Sequence, residues 1–292
     1  MKLINGKYQI TKVLKKKTNN KITYLGNRVG ESKYLILKAF NCNNESSYLS
    51  WLREKNIDFT HSNLNKLVDF FKYDNYCYIV REYVEGLDSW RFVNSIYNRK
   101  KYFNEKLLIK LTIDLLDGIN VLHDESVIHR DIRPQNILFK QSSESKKIIE
   151  KAVLTDFELA KLPKMNKIDS YAPFSFVFSP PEQVLRFNSL LNQSSDLYAL
   201  GVSLWALLTK KLPFNHHVPE IITNIQIAIP IPKNRKISSN LMDIIIKSTI
   251  KPKFITHPNK IPKNDLKYIL QSAQNKRYIS ALDMKKDLLS IL

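Results

Sequence analysis

Apolar and aromatic residues in the first third of the chain fall in short clusters. Residues 8–14, 22–25, 34–40, 67–71 and 76–83 are rich in β-branched and aromatic side chains, which predicts strands. Residues 45–55 break the pattern: Tyr48, Leu49 and Leu52 recur at helical spacing, so one helix interrupts the strands. From residue 104 onward the period lengthens. Residues 105–123 predict a long amphipathic helix opening after Asn104, whose side chain suits an N-cap. Residues 195–208 are apolar on nearly all sides, as a buried helix requires, and 240–248 and 281–289 predict further helices. Strands first and helices later make an α+β chain in two lobes, 1–85 and 86–292, with a hinge near 82–88. No repeat or long linker divides the sequence, so residues 1–292 read as a single domain. Two stretches stand out as insertions: a polar hairpin tip at 141–151, and a proline- and lysine-bearing excursion at 251–274. Each is either a docking surface or a tolerated surface loop.

Composition adds bounds. With 292 residues, 43% of them hydrophobic, the chain can bury a sizeable core. Two cysteines, Cys42 and Cys77, make no disulfide framework, although one bridge between them is open; the expectation is a reducing, cytoplasmic setting. The first six residues lack the apolar run of a signal peptide, and the longest apolar stretch, 197–208, is too short to span a bilayer. The formal charge of +19 reads either as affinity for an acidic partner or as a composition rich in Lys, Asn and Ile. The basic residues are scattered, so no specific nucleic-acid interface is expected.

The chemistry concentrates in His129-Arg130-Asp131-Ile132-Arg133-Pro134-Gln135-Asn136 and, twenty residues on, Asp156-Phe157. Phosphoryl transfer asks for metal ligands, cations on the phosphates and a carboxylate near the acceptor hydroxyl. The five-residue step from Asp131 to Asn136 matches H-R-D-x-x-x-x-N. The segment resembles the catalytic loop of eukaryotic-like (Hanks-type) serine/threonine protein kinases, of a bacterial kind. The resemblance extends through Ser179-Pro180-Pro181-Glu182, Ser195-Asp196-Leu197-Tyr198-Ala199-Leu200-Gly201 and Arg277.

That resemblance implies a bilobal fold with a small antiparallel β lobe, a helical lobe, and ATP and Mg²⁺ as cofactors. Asp131 would orient the acceptor hydroxyl, with Arg133 (where the family usually has Lys) clamping the γ-phosphate. Asn136 and Asp156 would ligate Mg²⁺. Lys38 would meet the α/β-phosphates, partnered by Glu54 in preference to Glu45. Ile22, Ile36 and Leu138 would surround adenine, Glu82 and Val84 would offer it backbone groups, and Asp88 would bind ribose. Ser175 would bond Asp131 and favour Ser/Thr acceptors on protein substrates. Asp196 would cap the catalytic loop, and Glu182 would pair with Arg277. Ser170, Tyr171 and Ser179 are candidate phosphate acceptors, with Arg130 a partner for such a phosphate.

Four departures qualify the picture. The phosphate-covering hairpin, with family spacing G-x-G-x-x-G, has Lys15, Lys17 and Asn20 where glycines are expected, so it should sit farther off or bend differently. Glu158 replaces the Gly after Asp-Phe and restricts the backbone there. Ile36 replaces an alanine and tightens the adenine slot. Arg81 sits at the gatekeeper position, where a buried charge must find a carboxylate among Glu45, Glu54 and Asp156; a polar back pocket closed to bulky inhibitors follows. The leading expectation is an ATP-dependent Ser/Thr protein kinase. The alternatives are a pseudokinase serving as a non-catalytic nucleotide-binding or scaffold module, and a kinase-like enzyme with a small-molecule acceptor.

Overall fold

Alternating burial along β4 (below) shows how the first sheet is built: Leu35, Leu37 and Ala39 turn to one core while Phe40 caps another. A computed structural model describes residues 2–17, 20–96, 103–142, 144–145, 148–163, 165 and 175–292. Its N-terminal part contains β1 (Lys2–Ile4), β2 (Tyr8–Lys17), β3 (Lys21–Arg28), β4 (Tyr34–Asn41), α1 (Glu45–Lys55), β5 (Leu67–Tyr73) and β6 (Tyr76–Glu82). The strands form an antiparallel sheet in the order β1-β2-β3-β4-β6-β5. One face packs Tyr8, Tyr24, Leu37 and Val80; the other packs Phe40, Cys77 and Ile79 beneath Trp51 of α1. Asn44 caps α1, its side chain accepting from Ser47 N at 2.9 Å, and the Trp51 indole N–H donates to Tyr78 O at 2.9 Å. The helix is thereby seated against the middle of the sheet.

The cysteines require a correction. Pairing of Phe40 with Cys77 in the β4/β6 ladder, and donation from Cys42 N to Asn75 O, bring the two residues to a Cα–Cα distance of 5.7 Å, and they are disulfide-bonded. The chain positions them through sheet pairing, which two isolated cysteines in a sequence do not reveal.

The second lobe opens with β7 (Gly86–Asp88) and α2 (Ser89–Ile96), then α3 (Glu105–Asp124), β8 (Ile137–Gln141) and β9 (Ile149–Leu154), with β7-β8-β9 forming a small sheet. It continues through α4 (Pro181–Val184), α5 (Gln193–Thr209), α6 (Pro219–Ala228), α7 (Ser239–Ser248), α8 (Lys263–Gln274) and α9 (Ala281–Leu289). Gly86 is a positional necessity: at φ +154 a side-chain Cβ would lie 2.0 Å from Phe139 O. α5 is buried along nearly its whole length, as its apolar pattern predicts, and is opened by an Asn192–Ser195 capping box. Gly201 lets α7 approach α5 closely, with Ser248 in the space a Cβ would occupy.

The helices foreseen at 45–55 and 281–289 coincide with α1 and α9, and Asn104 caps α3. The 251–274 stretch is corrected: its second half is α8, entered at Pro262, with Leu266 and Leu270 packed on Leu190. The polar tip foreseen at 141–151 is narrower than expected, because β9 already resumes at Ile149. Among the described residues no helix is long and apolar enough to cross a membrane.

Candidate active site

Between the lobes lies a cleft of about 670 Å³, walled by Leu14, Ile36, Val84, Leu87 and Leu138 and by the polar groups of Lys15, Lys38, Asp88, Asp131, Arg133, Asn136 and Asp156. Most residues expected to handle a nucleotide therefore meet in one place. Ile22 does not line the cleft: paired with Ala39 in the sheet, it packs on the small-lobe core. Glu54 stands behind the wall, in contact with Lys38.

The loop carrying Asp131 is held from below. Asp196, fully buried at the start of α5, accepts from the backbone N–H of His129 (2.8 Å) and Arg130 (2.9 Å) and contacts His123 Nε2 at 2.9 Å. These bonds over-determine Arg130, whose φ of +67 is unusual for a residue with a side chain. Gln183 Nε2 donates to Arg130 O at 2.9 Å, tying α4 to the same loop. Asn136 Nδ2 donates to both Asp131 O and Asp131 Oδ2 at 2.8 Å. The amide nitrogen is thus committed to the loop, and its carbonyl oxygen accepts no hydrogen bond among the described residues. The expected Ser175 contact is present: its hydroxyl donates to Asp131 Oδ1 at 2.6 Å while Arg133 donates to the same hydroxyl. Burial pushes the Asp131 carboxyl up, only partly opposed by the Ser175 bond.

Lys38 sits among three carboxylates: Glu54, Asp156 at 2.9 Å and Glu158 at 3.1 Å. Burial pushes its ammonium pKa down, but Asp156, Glu54 and Glu158 outweigh that and hold it well above the ordinary value. Asp156, at φ +66, is raised by burial yet pulled well below the usual carboxylate range by Lys38 and Lys21. Glu54 is the partner of Lys38 rather than Glu45, which lies exposed at the start of α1. Glu158 is pushed up to about 7 by burial and by Asp156, against the pull of Lys38 and Lys21. Sequence reasoning saw Glu158 only as a backbone restriction; the structure turns its side chain to Lys21 and Lys38, and Arg53 Nη1 donates to its carbonyl at 3.2 Å.

Arg81 resolves the buried-charge problem through Glu54. Its Nε meets Glu54 Oε2 at 2.9 Å, and the rest of the guanidinium donates to Glu54 O (2.8 Å), Ile57 O (3.1 Å) and Asn65 O (2.6 Å). Its Cζ lies 4.8 Å from the Phe157 ring centroid. One side chain therefore joins β6, the end of α1, the approach to β5 and the Asp-Phe segment.

At the hinge, Val84 keeps both backbone groups out of hydrogen bonds among the described residues, whereas Glu82 O accepts from Asn65 Nδ2 at 2.9 Å. Asp88 turns toward Arg91, accepting from its N–H at 2.9 Å. Glu182 and Arg277 form the expected pair, fully buried, at 2.8 and 3.2 Å. Ser179 is corrected as a phosphate acceptor: it is buried and donates to Ser175 O at 3.1 Å. Ser170 and Tyr171 lie outside the described residues, as do Thr18 and Asn19 at the hairpin tip. Lys21 and Asn65 were missed as site residues, because each reaches the site across a sequence gap that no short motif spans, and Glu158 was read only for its backbone.

Comparison with known proteins shows the family. Residues 14–278 match the family model described as protein kinase domain. The chain is 28% identical over 237 residues to the probable serine/threonine-protein kinase PknB of Lactococcus lactis, covering 78% of this chain and 35% of that one. It is 26% identical over 264 residues to the serine/threonine-protein kinase PrkC of Bacillus subtilis, covering 87% and 39%. It thus spans between a third and two fifths of the length of these relatives. Among solved structures, the Cydia pomonella granulovirus kinase PK-1 superposes with a TM-score of 0.69 at 20% identity, over 97% of this chain and 94% of that one, a likeness of fold.

Proposed function

The chain belongs to the protein kinase domain family, and from that premise we propose that it transfers the γ-phosphoryl group of ATP to serine or threonine hydroxyls of protein substrates. The observation that carries this reading is one constellation: Asp131 bonded to Ser175 and Asn136, facing a cleft in which Asp156 is held against Lys38. We take residues 1–292 as a single catalytic domain, 1–85 and 86–292 forming its lobes.

The donor set fits a divalent cation. Asn136 offers a carbonyl oxygen left over from its bonds to Asp131, and Asp156 is a carboxylate kept ionised by Lys38; hard oxygen donors of this kind suit Mg²⁺. When bound, Mg²⁺ neutralises charge on the phosphate oxygens. The protein's own residues supply the rest. Leu14, Ile36 and Leu138 enclose the base, Val84 presents its backbone groups, and Asp88 addresses the ribose. Lys38 grips the α/β-phosphates, with Glu54 fixing its direction. Asp131 accepts the acceptor hydroxyl's proton as that oxygen bonds the γ-phosphorus and the bond to ADP breaks; its upward-shifted carboxyl suits a proton acceptor. Arg133 steadies the transferring group and, through Ser175, Asp131 itself. The Ser175–Asp131 bond supports Ser/Thr over Tyr acceptors. A cytoplasmic setting supplies the nucleotide, and there the Cys42–Cys77 bridge stands open to thiol reductants.

The test is incorporation of label from ATP into a basic acceptor protein in the presence of Mg²⁺, wild type beside Asp131→Asn. Label in the wild type alone is expected; equal label in both sinks the reading.

A further inference from the structure

Two departures described above touch each other. The hairpin over the cleft lacks the glycines that bring backbone close to phosphate, and the residue two after Asp156 carries a carboxylate where the family has none. Lys21 is the first residue of β3, paired with Lys17 at the end of β2, so it stands beside the turn of that hairpin. Its ammonium reaches Glu158 across 137 residues of chain and also stands 5.6 Å from the Phe40 ring centroid. Glu158 is held at both ends: its carboxylate meets Lys21 and Lys38, and its carbonyl accepts from Arg53 of α1. Lys21 and Glu158 are each only partly accessible, with side-chain exposures of 23% and 16%, so the pair works in a medium of reduced dielectric.

We propose that Glu158 is a positioning residue for nucleotide binding, latching the turn end of the hairpin through Lys21 to the segment that bears Asp156. The inference rests on the kinase reading above and deepens it. A hairpin with glycines grips phosphate through its own backbone. This one, with Lys15 already facing the cleft, is instead held in place by an ion pair from below. The same carboxylate borders Lys38, so the latch aligns two parts of the phosphate site together: the hairpin and the strand lysine. Neither Glu158 nor Lys21 touches the reacting atoms; each acts through its partner.

A double-mutant cycle tests the latch. Wild type, Lys21→Met, Glu158→Gln and the double variant are titrated with Mg²⁺-ATP by calorimetry, and KM for ATP and kcat are measured separately. Lys21→Met should weaken ATP binding about tenfold while kcat changes far less, and the double variant should bind no more weakly than the worse single, because the two side chains share one interaction. Lys21→Arg should restore binding, whereas a merely structural role would show as a loss of melting temperature without this KM-against-kcat split. Wild-type binding with an unaltered Lys21→Met, or additive losses in the double variant, overturns the latch and leaves the kinase reading standing. A wild type that does not bind Mg²⁺-ATP overturns both.

Discussion

Arg81→Met removes a side chain that joins the sheet, α1 and Phe157, while keeping similar length and an apolar body. Arg81 is 2% exposed, and its guanidinium makes four hydrogen bonds, one to the Glu54 carboxylate and three to carbonyls. Glu54 O keeps a second donor in Ile57 N, but Ile57 O and Asn65 O lose theirs. Each orphaned buried carbonyl costs roughly 1–3 kcal/mol. Removing one cation from a buried ion pair costs about 3–5 kcal/mol, softened here because Lys38 still faces Glu54. These contributions overlap, so the expected loss is about 4–6 kcal/mol, or a fall in melting temperature of about 10 °C for a chain of this size. Urea denaturation of the nucleotide-free protein reads the first figure and thermal melting the second. Arg81→Lys should recover only part of the loss, since an ammonium cannot reproduce the planar fork. A methionine variant within about 1 kcal/mol of wild type would refute the reasoning, because buried charge networks broken from one side do not behave that way.

The remaining expectations concern pH, the disulfide and helix packing. Glu158 titrates near 7 when folded against 4.5 as its ordinary value, so from pH 4.5 to 7 the folded chain keeps a proton that the unfolded chain has lost. Stability in chelator should therefore fall as pH rises through that window, and Glu158→Gln should remove this component; a wild-type profile with no such component contradicts the assignment. Below pH 4 the opposite slope is expected, as the stabilising charge of Asp156, whose carboxyl is held down, is lost. Reducing the Cys42–Cys77 bridge, which closes a 35-residue separation, should lower stability by about 3–4 kcal/mol, seen as a shifted denaturation midpoint with and without dithiothreitol. Gly201→Ala should cost roughly 1–3 kcal/mol by forcing Ser248 away from α5, and Ser248→Ala on that background should recover part of it.

The large-lobe chemistry was legible because it is written locally: Asp131, Asn136 and Asp156 lie within 26 residues, and two short strands return Asp156 to the loop. Ser175 and the Glu182–Arg277 pair were legible by their order along the chain. Arg81 was half legible. The cost of burying a guanidinium demanded a carboxylate, but only the fold selects Glu54, because the choice depends on where the end of α1 meets β6. α2 was not foreseen, since Trp90, Phe92 and Val93 give it a strand-like composition over only eight residues. α8 was hidden by Pro252, Pro258 and Pro262, of which the last sits at the N-cap, where proline does no harm. The disulfide and the Lys21–Glu158 contact follow from strand register and lobe closure, which no local pattern encodes.

The bonds made by Arg81 have a bearing on control. Glu54, with 0% side-chain exposure, is clasped by Lys38 and Arg81, and Phe157 is packed under the same guanidinium. An effector that had to swing α1 outward would need to prefer the opened form by the free energy those contacts supply. At about 1.4 kcal/mol per factor of ten, the loss expected for Arg81→Met corresponds to an affinity ratio of roughly a thousand or more. Weak or transient effectors fall short of that ratio. Outward movement of α1 is therefore a costly step in such a domain, set by the contacts of a single buried guanidinium.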